Sequence, residues 1–67
     1  MKILLNNREE EFAEETMSVT RMIELKKFSF RMRVIKINGT LIPREKYDTA
    51  IIRDRDNVQM LYLMSGG

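Results

Sequence analysis

The sequence RVIKINGTLIPR, residues 33–44, predicts a β-hairpin at the centre of the chain. Val34, Ile35 and Ile37 are β-branched residues, which favour strands, so a strand is expected over residues 33–38. Asn38-Gly39 is a typical tight-turn pair because both residues tolerate positive φ. Leu41-Ile42 then form a short returning strand. Pro43 cannot donate a ladder hydrogen bond, so it ends that strand at an edge of the sheet.

Similar patterns on both sides of this hairpin predict an α+β domain. Ser18, with Thr16 as the alternative, is a candidate helix N-cap, and Val19, Met22 and Ile23 follow at helical spacing. Lys26 falls on the same stripe, so its stem is expected to lie along the core with its ammonium in water. Leu25, Phe28 and Phe30 are expected to help close that core. The remaining predicted elements are strands over residues 2–6, 8–12 and 58–64, a turn or short helix over residues 44–48, a short apolar piece at Ile51-Ile52, and turns at Asn6-Asn7 and over residues 54–57.

The predicted order is therefore β-β-α-β-β, a mixed sheet of four to five strands around one helix. The first and last strands are expected to be parallel neighbours in the middle of the sheet, joined through the helix. Residues 1–64 form one domain in this prediction, and residues 65–67 form a flexible C-terminal tail.

Composition argues against an enzyme. The chain has 67 residues with neither cysteine nor histidine, so nucleophilic triads, zinc sites and imidazole catalysis lack their usual members. Neither a signal segment nor a membrane span is apparent, so a cytoplasmic protein is expected. Residues 1–20 carry a net charge of −3 and residues 21–67 a net charge of +5, which indicates an electrostatically steered protein partner. The glutamates of residues 9–15 are interpreted as a solvated face, and the scattered methionines as core residues without a metal.

The last predicted strand is apolar on both faces, although a single helix covers only one face of a sheet. Leu61 and Leu63 alternate with the core-facing residues, and Leu4 shares their face on the neighbouring strand. These leucines, together with Met64, are predicted to form a partner-binding surface because exposed apolar patches usually mark interaction sites. The alternative is a locally two-sided core or a loop folded over the patch.

The C-terminus supplies the most distinctive chemical group. Gly66 and Gly67 follow the last strand directly after Ser65, and glycine lacks the Cβ that would stop a backbone from threading a narrow channel. A terminal carboxylate is a poor electrophile until an acyl-adenylate gives it a leaving group. A partner enzyme can then supply the nucleophile and the electrostatic stabilisation.

These residues resemble a known family, the sulfur carrier proteins of bacterial thiazole (thiamine) synthesis, which have the ubiquitin-like β-grasp fold. The likeness runs from Met1, Ile3 and Asn6 to Gly66-Gly67. It is strongest over residues 37–44, similar to the family's Asn-Gly-x-Ile-Val-Pro-Arg stretch, and over residues 54–58, similar to its Asp-Gly-Asp-x-Val turn. Arg55 stands at the glycine of that turn, Lys26 replaces a helix leucine, and Ser65 precedes the diglycine where families vary.

The resemblance implies a carrier without catalytic residues, bound cofactor or metal, monomeric when free. A ubiquitin-activating-type adenylyltransferase consumes ATP to adenylate Gly67, with Gly66 and Ser65 in its channel. Sulfur from a cysteine desulfurase converts the adenylate to a thiocarboxylate, and thiazole synthase takes the sulfur. The small subunit of molybdopterin synthase and tRNA-thiolation carriers share this fold and tail, so they remain alternatives.

Two further readings of the sequence stay open. One is a β-grasp module that binds a partner without covalent chemistry and tolerates loss of the diglycine. The other is nucleic-acid binding by interleaved basic and aromatic residues, which the modest net charge of +2 and the acidic first third disfavour. That basic and aromatic set comprises Lys26, Lys27, Phe28, Phe30, Arg31, Arg33 and Lys36.

Overall fold

A computed structural model of the protein describes residues 1–27 and 33–62, with the backbone alone at Tyr62. Its elements, in chain order, are β1 (Lys2–Leu5), β2 (Arg8–Glu11), β3 (Thr16–Ser18), α1 (Val19–Leu25), β4 (Arg33–Ile37), β5 (Thr40–Ile42), a 3-10 helix (Arg44–Lys46), β6 (Ile51–Arg53) and β7 (Asn57–Tyr62). In this part of the chain, five strands form a mixed sheet in the order β2-β1-β7-β4-β5, and β3 pairs with β6 in a second sheet.

The predicted fold class is confirmed. β1 and β7 are parallel neighbours, with Leu4 beside Asn57 and Leu5 beside Val58, and every other pair in the main sheet is antiparallel. The sequence did not predict β3, which pairs antiparallel with β6 through Met17 and Ile52. The predicted apolar piece at Ile51-Ile52 is therefore a strand of a second, smaller sheet.

The core lies between the inner face of the main sheet, α1 and the β3–β6 pair. Ile3 and Leu5 of β1 are buried, whereas Leu4 between them is exposed, as the predicted alternation requires. The buried hydrophobic residues are Ile3, Leu5, Met17, Val19, Met22, Ile23, Ile35, Tyr47, Ile52, Val58 and Met60, and none of the described buried residues is polar or charged.

Helix α1 begins at Val19, directly after the predicted N-cap, and ends at Leu25. The Ser18 hydroxyl accepts the backbone N–H of Arg21 at 3.0 Å, which confirms the N-cap. At the other end, Lys27 has φ 58 and donates its N–H to the Glu24 carbonyl, so the helix stops at Leu25. A left-handed residue after the last turn is a common way to end a helix.

One packing prediction around α1 is wrong, and another lacked a partner. Lys26 is half-buried, and its Nζ lies 2.8 Å from Glu10 Oε1 on β2. The sequence did not predict this ion pair. Leu25 is 39% exposed because it falls on the outer side of the helix, so it does not close the core. Phe28 and Phe30 lie outside the described residues.

Arg55 occupies a left-handed turn position. Its φ is 69, in the turn between β6 and β7 where the resemblance placed a glycine. A non-glycine residue in this region costs about 1–2 kcal/mol, because Cβ crowds the following carbonyl oxygen. The side chain is almost fully exposed and recovers little of that cost through Asp54, whose Oδ2 lies 3.7 Å from Nε.

We therefore expect Arg55→Gly to stabilise the fold. Relief of the backbone strain at this turn outweighs the greater conformational freedom of glycine in the unfolded chain. The net gain in the free energy of unfolding is about 0.5–1 kcal/mol. Urea unfolding measures the change. Arg53→Gly, two residues earlier in β6, is the matched control and is expected to be destabilising because glycine weakens a strand. Equal or lower stability of Arg55→Gly contradicts the assignment of strain to this turn.

Candidate functional site

The predicted reactive tail follows the strand at the centre of the sheet. β7 lies between β1 and β4, with β1 beside its first two residues and β4 paired with it as far as Tyr62. Tyr62 ends β7, and Gly67 follows five residues later in the sequence. The predicted tail and partner residues Leu63, Met64, Ser65, Gly66 and Gly67 lie outside the described residues.

The Asn-Gly and Asp-x-Asp turns of the family resemblance lie at the opposite end of β7 from the tail. Asn38 Nδ2 donates to Asp56 Oδ1 at 3.0 Å, and Asn38 Oδ1 accepts the Asn57 N–H at 2.8 Å. Asp56 Oδ2 also accepts the Arg53 N–H at 2.8 Å. These bonds join the two turns at the start of β7, a six-residue strand that spans about 20 Å at roughly 3.3 Å per residue.

Backbone conformation explains the residue types at this end. Asn38 has φ 50 and Gly39 has φ 83, the successive positive angles of a tight hairpin turn. The Asp54 carboxylate accepts the Lys2 N–H at 2.7 Å, which fixes the start of β1 to the same corner. The Asn-Gly and Asp-x-Asp motifs therefore hold the turns and strand starts together.

The structure separates two of the predicted partner-binding leucines. Leu4 is 40% exposed and Leu61 is 50% exposed, both on the face opposite α1. Leu4, however, lies beside Asn57, four residues before Leu61 on β7, a separation of about 13 Å along the strand. β1 ends at Leu5 and turns away, so it does not reach the level of Leu61.

Leu61 has other apolar neighbours. It lies opposite Val34 of β4, and Leu41 of β5 is in the next cross-strand row, opposite Lys36. Leu41 is 56% exposed, the largest value among the exposed large hydrophobic residues of the described chain. We call Val34, Leu41 and Leu61 the tail-side patch. The sequence predicted Leu41 in a returning strand but not on this patch. The register of β5 against β4, set by the Asn38-Gly39 turn, is the signal that would have placed Leu41 in the row next to Val34.

Leu4 belongs to a separate groove at the start of β7. This open groove has a volume of about 460 Å³ and is lined by Lys2, Ile3, Leu4, Glu9, Asp54 and Arg55. Lys2 Nζ lies 3.5 Å from Glu9, and both side chains are exposed. The groove therefore presents one exposed apolar side chain, that of Leu4, flanked by charged side chains that already have partners.

The structure tests parts of the other readings. The residues it describes contain no group of three histidine, cysteine or carboxylate ligands arranged for a metal, and no helix among them has the length and apolar character to cross a membrane. In the basic set, the Lys26 ammonium is engaged by Glu10. Phe28, Phe30 and Arg31, which the nucleic-acid reading needs for stacking and charge, lie outside the described residues.

Comparison with known proteins places the chain in a family. The sequence model of the ThiS family matches residues 3–67.

The chain belongs to the ThiS family.

Two solved structures support this membership. The crystal structure of the thiamine biosynthesis protein ThiS from Geobacter metallireducens is 28% identical over 100% of both chains, with a TM-score of 0.90. The solution NMR structure of a thiamine biosynthesis protein from the same organism is 28% identical, with a TM-score of 0.79, over 100% of this chain and 88% of the other. No curated protein gives a significant match.

The resemblance drawn from the sequence is thereby confirmed, and so is the ubiquitin-like β-grasp fold. The ThiS family match also extends through Gly66 and Gly67. The roles of the tail and of the apolar face are not tested by these comparisons, so they stay predictions.

Proposed function

We propose that this ThiS-family chain is a sulfur carrier for synthesis of the thiamine thiazole, and that Gly67 carries the sulfur. The observation that carries the proposal is the family match over residues 3–67, which includes the diglycine. The geometry of the sheet supports it, because the central strand β7 leads directly towards those residues.

The proposed chemistry has two steps at one carbonyl. The Gly67 carboxylate first attacks the α-phosphorus of ATP on the activating enzyme, forming an acyl-adenylate and releasing pyrophosphate. Hydrosulfide then attacks the carbonyl carbon, a C–S bond forms, the C–O bond to the phosphate breaks, and AMP leaves as a proton is released. The product is a thiocarboxylate. The carrier supplies the carbonyl and its reach, and the activating enzyme supplies the stabilisation of developing charge.

Partners follow from that sequence of steps. An adenylyltransferase of the ubiquitin-activating type uses ATP, a cysteine desulfurase provides persulfide sulfur that a thiol reductant releases as sulfide, and thiazole synthase accepts the sulfur of the thiocarboxylate. In this proposal the carrier is a co-substrate and binds no cofactor of its own.

Intact mass spectrometry tests the carrier role. The purified chain is incubated with an activating enzyme, ATP and sulfide, and the reaction without ATP is the control. We expect a mass increase equal to exchanging one oxygen for one sulfur, mapped to the peptide ending at Gly67. The absence of both adenylate and thiocarboxylate with several activating enzymes of ThiS-containing systems would instead favour a non-covalent binding module.

The tail-side patch is the surface that we propose for docking on the activating enzyme, together with Leu63 and Met64. Val34 and Leu61 lie at the tail end of β7, and Leu41 lies one cross-strand row back at the level of Gln59, so a partner that binds the tail can cover the patch at the same time. Burying such an apolar patch favours association in proportion to its area.

We expect Leu61→Ser to raise the KM for the carrier in adenylation about 10-fold, which corresponds to about 1.4 kcal/mol of lost binding. Ile51→Ser is the control, because Ile51 is similarly apolar and 39% exposed but lies on the β3–β6 sheet. Leu4→Ser decides how far the contact extends. A comparable rise in KM for Leu4→Ser would place the whole face in the interface, and an unchanged KM for Leu61→Ser would contradict the docking proposal.

A further inference from the structure

Asn6 makes an unusual contact with β7. It is the first residue after β1 and has φ 52, so the chain turns away from the sheet there. Its backbone N–H still donates to the Val58 carbonyl at 2.9 Å. Its side-chain Oδ1 accepts the N–H of Met60 at 2.7 Å, across 54 residues of sequence and in a partly buried position.

This side chain takes the place of a backbone carbonyl. In a parallel pair, hydrogen bonds alternate between N–H and C=O of every second residue, so the Met60 N–H would be bonded by the carbonyl of residue 6 if β1 continued. The left-handed turn removes that carbonyl from the ladder, and the side-chain amide oxygen of Asn6 accepts the hydrogen bond from the Met60 N–H instead. The ladder between β1 and β7 is thereby extended by one bond beyond the end of β1.

The extra bond lies on the side of β7 that has lost its neighbouring strand. Leu61 faces β4 through its pairing with Val34, so that side of β7 is held by a full strand. On the other side the chain returns as β2 after the Asn6-Asn7 turn. Among the described residues, the Asn6 side chain is the last group on the β1 side to hydrogen-bond β7 before Tyr62.

We propose that Asn6 is a positioning residue for the reacting tail. It acts through β7, whose last residues it holds in the sheet. The proposal rests on the proposed function. A β7 that frays back from Met60 gives the tail a variable origin, so only part of the molecules present Gly67 from the fixed position that the partner binds. The apparent Kd for the partner equals the intrinsic Kd divided by the fraction of molecules in the competent state, so it rises as that fraction falls. Turnover of the bound complex is unchanged.

Three variants, compared with wild type, separate the side-chain bond from the backbone turn. Asn6→Gly adopts positive φ without strain and removes the acceptor. Asn6→Asp keeps both an acceptor oxygen and tolerance of positive φ. Asn7→Gly makes the same change at the next residue, which has φ 67 and an exposed side chain. Wild type is the reference.

The first readout is amide hydrogen exchange by NMR. We expect the Met60 N–H to exchange at least about 10-fold faster in Asn6→Gly, because its hydrogen bond no longer has to break before exchange. The Val58 N–H, nearer the start of β7, serves as the internal reference for global unfolding. Asn6→Asp and Asn7→Gly are expected to keep wild-type protection at Met60. Uniformly faster exchange across β7 in Asn6→Gly would indicate general destabilisation and overturn the positioning role.

The second readout is the kinetics of adenylation, measured as ATP-dependent pyrophosphate release with the concentration of carrier corrected for its folded fraction. We expect Asn6→Gly to raise KM about 3–10-fold with kcat unchanged, and Asn6→Asp to restore KM. An unchanged KM in Asn6→Gly, with wild type active, overturns the positioning role alone. Failure of wild type to be adenylated overturns the proposed function and this role with it.

Discussion

Removal of Gly67 is expected to abolish adenylation and thiocarboxylate formation. The new terminal carboxylate, on Gly66, falls one residue short, a displacement of about 3.3–3.6 Å along an extended chain. A misplacement of about 1 Å can already cost 100-fold in rate when the reacting groups are held in fixed positions. We therefore expect a loss of at least about 100-fold in kcat/KM for pyrophosphate release, with no thiocarboxylate detected by mass.

The fold of the shortened chain provides the control for this result. The described core ends at β7, so urea unfolding of the shortened chain is expected to match that of the full chain. Arg55→Gly, at the opposite end of the sheet, is expected to be adenylated normally. Normal adenylation of the chain that lacks Gly67 would show that the partner does not recognise the position of the terminal carboxylate, and it would contradict the proposed function.

Ile52→Ala is expected to be the most damaging of the substitutions discussed for stability. Ile52 is fully buried in β6, opposite Met17 of β3. Truncating a buried isoleucine to alanine costs about 2–5 kcal/mol through lost burial and the cavity left behind. A chain of 67 residues has about 3–10 kcal/mol of stability in total. The substitution therefore removes a large fraction of it, and much of the protein is expected to be unfolded at 37 °C.

The neighbouring Ile51 offers a closely matched control. It has the same side chain in the same strand and points to the other face, where it is 39% exposed. Ile51→Ala is expected to cost about 1 kcal/mol or less, because surface substitutions leave no enclosed cavity. Thermal and urea unfolding of both variants measure the difference. Similar losses for the two would contradict the assignment of β6 to the core.

The sequence predicted the main sheet well because its signals are local. The short apolar run Ile3-Leu4-Leu5, ended by Asn6-Asn7, indicates a strand without reference to any other part of the chain, and Asn38-Gly39 indicates the turn of the central hairpin in the same way. β3 has three residues, no hairpin turn beside it, and a partner strand more than 30 residues away. Its existence depends on that pairing, which no local pattern reports.

The candidate site shows the same limit in a different form. Alternation correctly assigned Leu4 and Leu61 to the outer face, because side-chain direction has a period of two. The distance between them depends on the register of β1 against β7, which the alternation does not contain. The Asn6 contact was also beyond prediction, since a side chain that replaces a carbonyl is visible only when the turn and β7 are both in place.

The position of β1 beside β7 also has a consequence for how the protein is made on the ribosome. The β1–β2 hairpin can form early in synthesis, but the edge of β1 that faces away from β2 has no partner strand until β7 emerges. Pairings this distant in sequence form slowly. During that interval the growing chain exposes apolar surface that chaperones can bind. Native folding is therefore delayed until β7 has been translated, so a chain that is still shorter than this does not present the completed sheet to any partner.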